Sequence, residues 1–366
     1  MTAEKTSMDP LTGLGPAFAG KRVFLTGHTG FKGAWLAEWL LSLGAEVHGY
    51  ALPPEEGCLF QLLGLEDRMA SRYADLRDPA ALRRALTAAE PDFVFHLAAQ
   101  PVVLASYEDP AATFATNVTG TIHLLETLRE CDHPCVAILV SSDKCYRNDD
   151  RGRPFRETDA LGGKDPYSAS KAAMEIAVHS WRASFFRRHP VRLTTARAGN
   201  VIGGGDFAAH RIVPDCVRAL QAGQAIEVRN PGHTRPWQHV LEPLGGYLIL
   251  AAALAAGWRD PDDLYAFNFG PADESKRSVG ELVDTVLAAW PGEWRPGEPS
   301  SGQKEARLLD LSIERAQALL RWHPRWNFPE TVARTVEWYR AVLENPQTAR
   351  EQTLADLTAY TEAARE

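Results

Sequence analysis

RVFLTGHTGFKG, residues 22–33, decides the fold. Arg22 to Thr26 is a short β-rich apolar run, Gly27, Gly30 and Gly33 follow at three-residue intervals, and Trp35, Leu36, Trp39, Leu40 and Leu43 then fall on one face of a helix. In a strand, glycine turn and helix of this kind, glycines let the chain turn sharply and let backbone N–H groups approach a pyrophosphate at the positive helix end. A second strand is predicted over residues 46–52 (EVHGYAL). The acid that binds an adenosine ribose belongs near the end of that strand, yet Tyr50, Ala51 and Leu52 are neutral. The first carboxylates, Glu55 and Glu56, come after Pro53-Pro54, so this strand does not select NAD over NADP.

The alternation continues outward. Asp78 and Pro79 suit the N-cap and first position of a helix over 79–89, DFVFHL (92–97) reads as a buried strand ending in Ala98-Ala99-Gln100, and a helix over 117–129 precedes a strand over 136–140. Repeated strand-helix units imply a parallel sheet covered on both faces, with ligands at the C-terminal strand ends. Residues 1–20 read as a loosely held extension and 21–200 as the dinucleotide-binding domain. Residues 201–366, where the pattern loosens, read as mainly a second part, with about 236–270 returning to the first. Trp290, Trp294, Trp322, Trp326 and Trp338 are expected to fill the core of the smaller part.

The 366 residues are 45% hydrophobic and 23% charged with a formal net charge of -8, which argues against a nucleic-acid surface or a polybasic membrane contact. Five scattered cysteines are no disulfide framework, and Cys131-Asp132-His133-Pro134-Cys135 reads as a turn rather than a metal site, so no metal is expected. The apolar run 244–257 is too short to span a bilayer and is expected to be a buried helix. The N-terminal residues lack a cationic start followed by an apolar core, so a cytoplasmic protein is expected.

SSDKCY (141–146) sits at a predicted strand end, and DPYSASK (165–171) opens a predicted helix. Tyr167 and Lys171, four residues apart, share a helix face. A tyrosine with its ordinary pKa of about 10 must be lowered to accept a proton near neutrality, and a neighbouring lysine cation or bound nicotinamide cation acts in that direction. Y-x-x-x-K also occurs by chance on helix surfaces. Here the glycine turn and Ser142 at a strand end select the catalytic reading.

With these motifs in place, the chain from Lys21 to about Tyr339 resembles the extended short-chain dehydrogenases/reductases. The resemblance implies an α/β fold: a Rossmann-type doubly wound parallel sheet binding NAD, with a smaller C-terminal α/β domain binding a nucleotide sugar. It implies cofactor contacts from Gly27, His28, Thr29, Gly30, Phe31, Lys32, Gly33, Asp75, Leu76, Leu97, Ala98, Ala99, Gln100, Asn117, Tyr167 and Lys171, although the chemistry of Asn117 alone reads as a buried side chain bonded to backbone. Asn200, Arg211, Arg235 and Arg307 are the expected substrate contacts.

Asp143 sets the chain apart from C4 epimerases, which need no further acid, and fits the acid that expels a C6 hydroxyl. Lys144 stands where most hexose 4,6-dehydratases have glutamate. Together with LGGKDPYSASK, AGNVIGGGD, TRPWQHVLEPLGGYL and RWHPRW, it makes the chain similar to the branch of sugar-nucleotide 4,6-dehydratases acting on CDP-hexoses. The implied catalytic set is Ser142, Asp143, Lys144, Tyr167 and Lys171, with Lys144 either the C5 base or a partner of Asp143 that orients the sugar. The resemblance further implies a homodimer, or dimer of dimers, through helices near 110–130 and 166–188.

Overall fold

The computed structural model describes residues 9–148, 152–209, 211–297 and 309–363. Seven apolar segments become strands of one sheet: β1 (Arg22–Thr26), β2 (Glu46–Ala51), β3 (Ala70–Tyr73), β4 (Phe93–His96), β5 (Cys135–Val140), β6 (Val191–Ala198) and β7 (Ala266–Phe269). Their order is β7-β6-β5-β4-β1-β2-β3 and every pairing is parallel. Helices cover both faces, which is why β5 is buried at every position and reads as an unbroken apolar run.

Alternate residues feed two cores. Val23, Leu25, Phe93, Phe95, Val136 and Ile138 pack with the helices Phe31–Ser42 and Leu241–Ala255. Phe24, Val94, Ala137 and Leu139 pack with Pro79–Ala89, Gly120–Leu128 and Pro166–Trp181. The chain proceeds from β1 to β2 and β3 on one side and returns to β4 on the other, so the strand order reverses between β1 and β4. Their C-terminal ends therefore diverge into a crevice, the usual ligand position in an open α/β sheet. Thr26 ties the two ends together: its Oγ1 lies 2.7 Å from His96 Nδ1 and accepts from Ala98 N at 3.1 Å.

Three expectations need correction. From Asp9 onward the N-terminal segment is not loosely held: Leu11, Leu14 and Phe18 are buried, Phe18 packs on Phe93 at 4.6 Å between ring centroids, and Asp9 pairs with Arg325. Residues 1–8 lie outside the described residues. Second, β3 and β7 were not anticipated. β3 is a short edge strand with three of four residues exposed, and so carries no apolar pattern.

Third, the chain's end does not stay with the smaller part. The helix Ala349–Glu362 returns to the sheet-covering layer, where Tyr360 meets Trp39 edge-on at 5.8 Å. RWHPRW is its anchor: buried Glu242 accepts from Arg325 N at 2.9 Å, Trp326 N at 2.8 Å and Tyr360 Oη at 2.9 Å. Trp322, Trp326 and Trp338 are accordingly buried in the main core, while Trp290 and Trp294 are half-buried.

Candidate active site

The glycine turn sits at the crevice. Gly27 has φ +77°, and a Cβ there would lie 2.8 Å from Ala98 N; at Gly33 a Cβ would lie 2.0 Å from Gly27 O. Close backbone approach therefore requires glycine at both positions. Gly30 caps the helix Phe31–Ser42 without a side-chain hydrogen bond, so its first N–H groups face the crevice with the positive helix end. Half-buried Leu97, Ala98, Ala99 and Gln100 lie at the end of β4 opposite, and Thr29 Oγ1 donates to Leu52 O at 3.1 Å. A backbone-walled cradle with an uncapped helix end fits the pyrophosphate of a dinucleotide.

Several expected cofactor residues turn inward. The His28 side chain is fully buried against Phe60, at 5.2 Å, and Tyr73, at 6.2 Å, and burial lowers it to about 4, so it is a neutral packing ring. Asn117 is buried and accepts from Gln100 N at 2.8 Å while donating to Gln100 O at 3.1 Å and Ser170 Oγ at 2.9 Å. Its side chain holds the loop after β4, in the buried, backbone-bonded role that its chemistry alone suggested. Asp75 is engaged by Arg77, whose guanidinium holds the carboxyl below its ordinary range, and Leu76 is buried.

Lys32 turns the other way. Its Nζ donates to Tyr247 Oη at 3.1 Å, and burial, reinforced by the charges of Lys171 and Arg211, lowers it to about 7.

Ser142, two residues past the end of β5, caps the one-turn 3-10 helix Asp143–Cys145, its Oγ accepting from Lys144 N at 3.2 Å and donating to Asp143 Oδ1 at 2.9 Å. Asp143 is buried, and burial raises its pKa against the opposing charges of Lys144 and Arg235. Burial shifts such a carboxyl toward its protonated form, the direction an acid needs. Asp165 caps the helix Pro166–Trp181, accepting from Ser168 N at 2.9 Å, and so sets Tyr167 and Lys171 on its first turns.

Tyr167 is buried and burial pushes it up to about 12, opposed by its hydrogen bond with Ser142 and by Arg211. Lys171, lowered to about 8 by burial, donates to Val140 O at 3.3 Å. The groups that oppose this rise are Ser142 and Arg211, where the sequence had pointed to Lys171. Lys144 Nζ lies 6.0 Å from the centre of the Tyr167 ring.

On the substrate side, Arg211 is the N-cap of the helix Ile212–Gln221 and pairs with Asp206 at 2.8 Å. Arg235 lies on the short strand Thr234–Pro236, which pairs with Lys276–Ser278, and its charge acts on Asp143. Asn200 follows β6, half-buried. Arg307 lies outside the described residues. Gly199 escaped the sequence reading: a Cβ there would lie 2.9 Å from Asp143 Oδ2, so the glycine of AGN makes room for that carboxyl.

Comparison with known proteins agrees with this geometry. Residues 23–261 match the family model described as NAD dependent epimerase/dehydratase family. The chain is 44% identical over 338 residues to the CDP-glucose 4,6-dehydratase of Salmonella typhimurium, covering 88% of this chain and 91% of that protein. It is 31% identical to the dTDP-glucose 4,6-dehydratase of Streptomyces antibioticus over 69% of this chain and 71% of that one. Among solved structures, Thermus thermophilus UDP-glucose 4-epimerase in complex with NAD is similar with a TM-score of 0.73 and 26% identity, covering 87% of this chain and 99% of that one. On sequence, fold and cradle together, the chain belongs to the NAD dependent epimerase/dehydratase family.

Proposed function

We propose that this protein is a CDP-glucose 4,6-dehydratase, converting CDP-D-glucose to CDP-4-keto-6-deoxy-D-glucose and water with NAD as cofactor. The observation that carries dehydration is Asp143, a buried carboxyl biased toward its protonated form on the same turn as Ser142 and facing the charge of Arg235. The CDP-glucose assignment is supported by the 44% identical relative.

Gly27–Gly33 and Leu97–Gln100 would hold NAD, which when bound would accept hydride from C4 and return it to C6 and add a positive charge favouring the Tyr167 phenolate. Tyr167 takes the C4 hydroxyl proton, with Ser142 orienting the hydroxyl. The resulting ketone acidifies C5–H. Lys144 is the candidate to take that proton and, after water has left and hydride has returned to C6, to give one back to C5; undiminished solvent exchange at C5 in Lys144→Ala would remove it from this role. Asp143 gives its proton to the C6 hydroxyl as it leaves as water. Arg211, Arg235, Arg307 and Asn200 bind the substrate's diphosphate and sugar, where an arginine fork matches two phosphate oxygens.

The cofactor part comprises about 9–200 with about 236–270 and the returning C-terminal helix, and most of the remainder binds the nucleotide sugar. A homodimer, or dimer of dimers, is favoured by Phe114, Ile176 and Phe185, large apolar side chains exposed on the helical segments 110–114 and 166–186. No helix among the described residues is long and apolar enough to cross a membrane, and five thiols without a disulfide suit a reducing cytoplasm. Incubation with CDP-, dTDP-, UDP- and GDP-hexoses tests the assignment. A 4-keto-6-deoxy product from CDP-glucose is expected; preference for another nucleotide overturns the substrate, and a C4-inverted product without dehydration overturns the reaction.

A further inference from the structure

Behind the catalytic turn lies a buried ion pair that the reaction does not use. Glu175, one helical turn beyond Lys171, and Arg197, on β6, have side chains 3% and 4% exposed. Arg197 Nε donates to Glu175 Oε1 at 2.9 Å and Nη2 to Oε2 at 2.8 Å, a bidentate pair. Burial alone would raise the carboxyl, but Arg197 and the hydrogen bonds from Ser141 and Thr195 hold it below its ordinary range.

Two further bonds of the pair reach the turn, one at each end, while others tie it to Thr195 and to Glu157 O. Ser141 Oγ donates to Glu175 Oε1, and Thr195 Oγ1 donates to Oε2 at 2.9 Å. Arg197 Nη1 donates to Tyr146 Oη at 2.7 Å, and Tyr146 Oη donates onward to Asn268 Oδ1 at 2.7 Å on β7. Ser141 immediately precedes Ser142, and Tyr146 immediately follows Cys145. The Lys171 amine bonds Val140 O at the same strand end. A buried ion pair adds little net stability over apolar residues of the same volume, so stability alone does not account for one here.

We propose that Glu175 and Arg197 are positioning residues whose ion pair fixes the Ser142–Asp143–Lys144 turn against the helix bearing Tyr167 and Lys171, gripping the turn at Ser141 and Tyr146. The kinetic part of this inference rests on the proposed dehydration; the geometric part does not.

Tyr146→Phe tests both. It removes one hydroxyl without burying a new charge, and the ring keeps its stack on Phe155 at 4.9 Å. With CDP-glucose, kcat is expected to fall about 10-fold with KM within about twofold, because a small displacement of catalytic groups acts on the transition state. In an Asp143→Asn background the same substitution is expected to cost less than in the wild type, since one of the groups it positions is already disabled. An equal fold-loss in both backgrounds, or an unchanged kcat, overturns the proposal. Amide hydrogen exchange of Lys144, Cys145 and Tyr146 in the protein without substrate is expected to quicken about 10-fold, as a locally loosened segment does, and unchanged exchange overturns the grip itself. If the wild-type protein does not dehydrate CDP-glucose, the functional assignment has failed and the exchange experiment still decides the clamp. Ser141→Ala, read the same way, replaces Tyr146→Phe if the latter does not fold.

Discussion

Substituting Gly199 by alanine moves a catalytic group without touching its chemistry. The added Cβ would lie 2.9 Å from Asp143 Oδ2, against about 3.4 Å for ordinary contact, while its next neighbour beyond that carboxyl, Pro236 Cγ, stays at a comfortable 3.7 Å. Gly199 is not among the glycines of positive φ, so alanine brings no backbone strain. The carboxyl must retreat by about 0.5 Å, dragging on its 2.9 Å bond from Ser142. A 1 Å misplacement costs roughly 100-fold in rate, so half of that costs about 10-fold. The stability change stays within about 1 kcal/mol, because the reduced freedom of the unfolded alanine chain offsets part of the contact. The assay is kcat for 4-keto product from CDP-glucose beside the thermal midpoint of the same preparation. Wild-type kcat would refute the claim that Asp143 must be held to sub-ångström tolerance. An activity loss that merely follows a loss of folded protein would refute it as well.

Other substitutions separate the layers of the site. Asp143→Asn is expected to lower turnover by about 10²- to 10⁴-fold, the ordinary contribution of a general acid, while solvent deuterium still enters C5; a loss under about threefold contradicts the assignment. Gly33→Ala drives a Cβ to 2.0 Å from Gly27 O and is expected to abolish NAD binding, measured by quenching of tryptophan fluorescence, and wild-type affinity would show that the cradle lies elsewhere. Glu242 carries a pKa raised to about 7 by burial. The folded state then holds a proton that the unfolded chain releases near 4.5, so ionisation destabilises the fold as pH rises through that window. Glu242→Gln is expected to gain about 2.5 kcal/mol relative to wild type between pH 5 and 8 in urea unfolding, and a pH-independent difference contradicts this.

The parts legible in the sequence are those that local backbone geometry dictates. Gly27 and Gly33 announce the cradle because nothing larger fits there, and Asp165-Pro166 announces the start of the catalytic helix because capping is local. Leu11, Leu14 and Phe18 have helical spacing, but Pro10, Gly13, Gly15 and Pro16 among them mask it, and only the packing on Phe93 shows that the segment is ordered. His28 and Asn117 look like ligand contacts from position alone, yet their rings and amides turn inward, a property of side-chain direction that spacing does not carry. Glu175 and Arg197 are 22 residues apart, on different elements, and become partners only when the helix packs against β6. RWHPRW reads as a mark of family resemblance, and only the fold shows that its Arg325 and Trp326 amides bind Glu242 and fasten the end of the chain.

The central claim is an intramolecular redox dehydration in which the hydrogen taken from C4 is returned to C6. CDP-glucose bearing deuterium at C4, incubated with the protein and NAD, tests it directly when the product is read by NMR. The expected result is a 4-keto-6-deoxy sugar nucleotide with that deuterium in its C6 methyl group. Deuterium remaining at C4 of an inverted sugar, or a CDP-glucose recovered unchanged, would contradict the account.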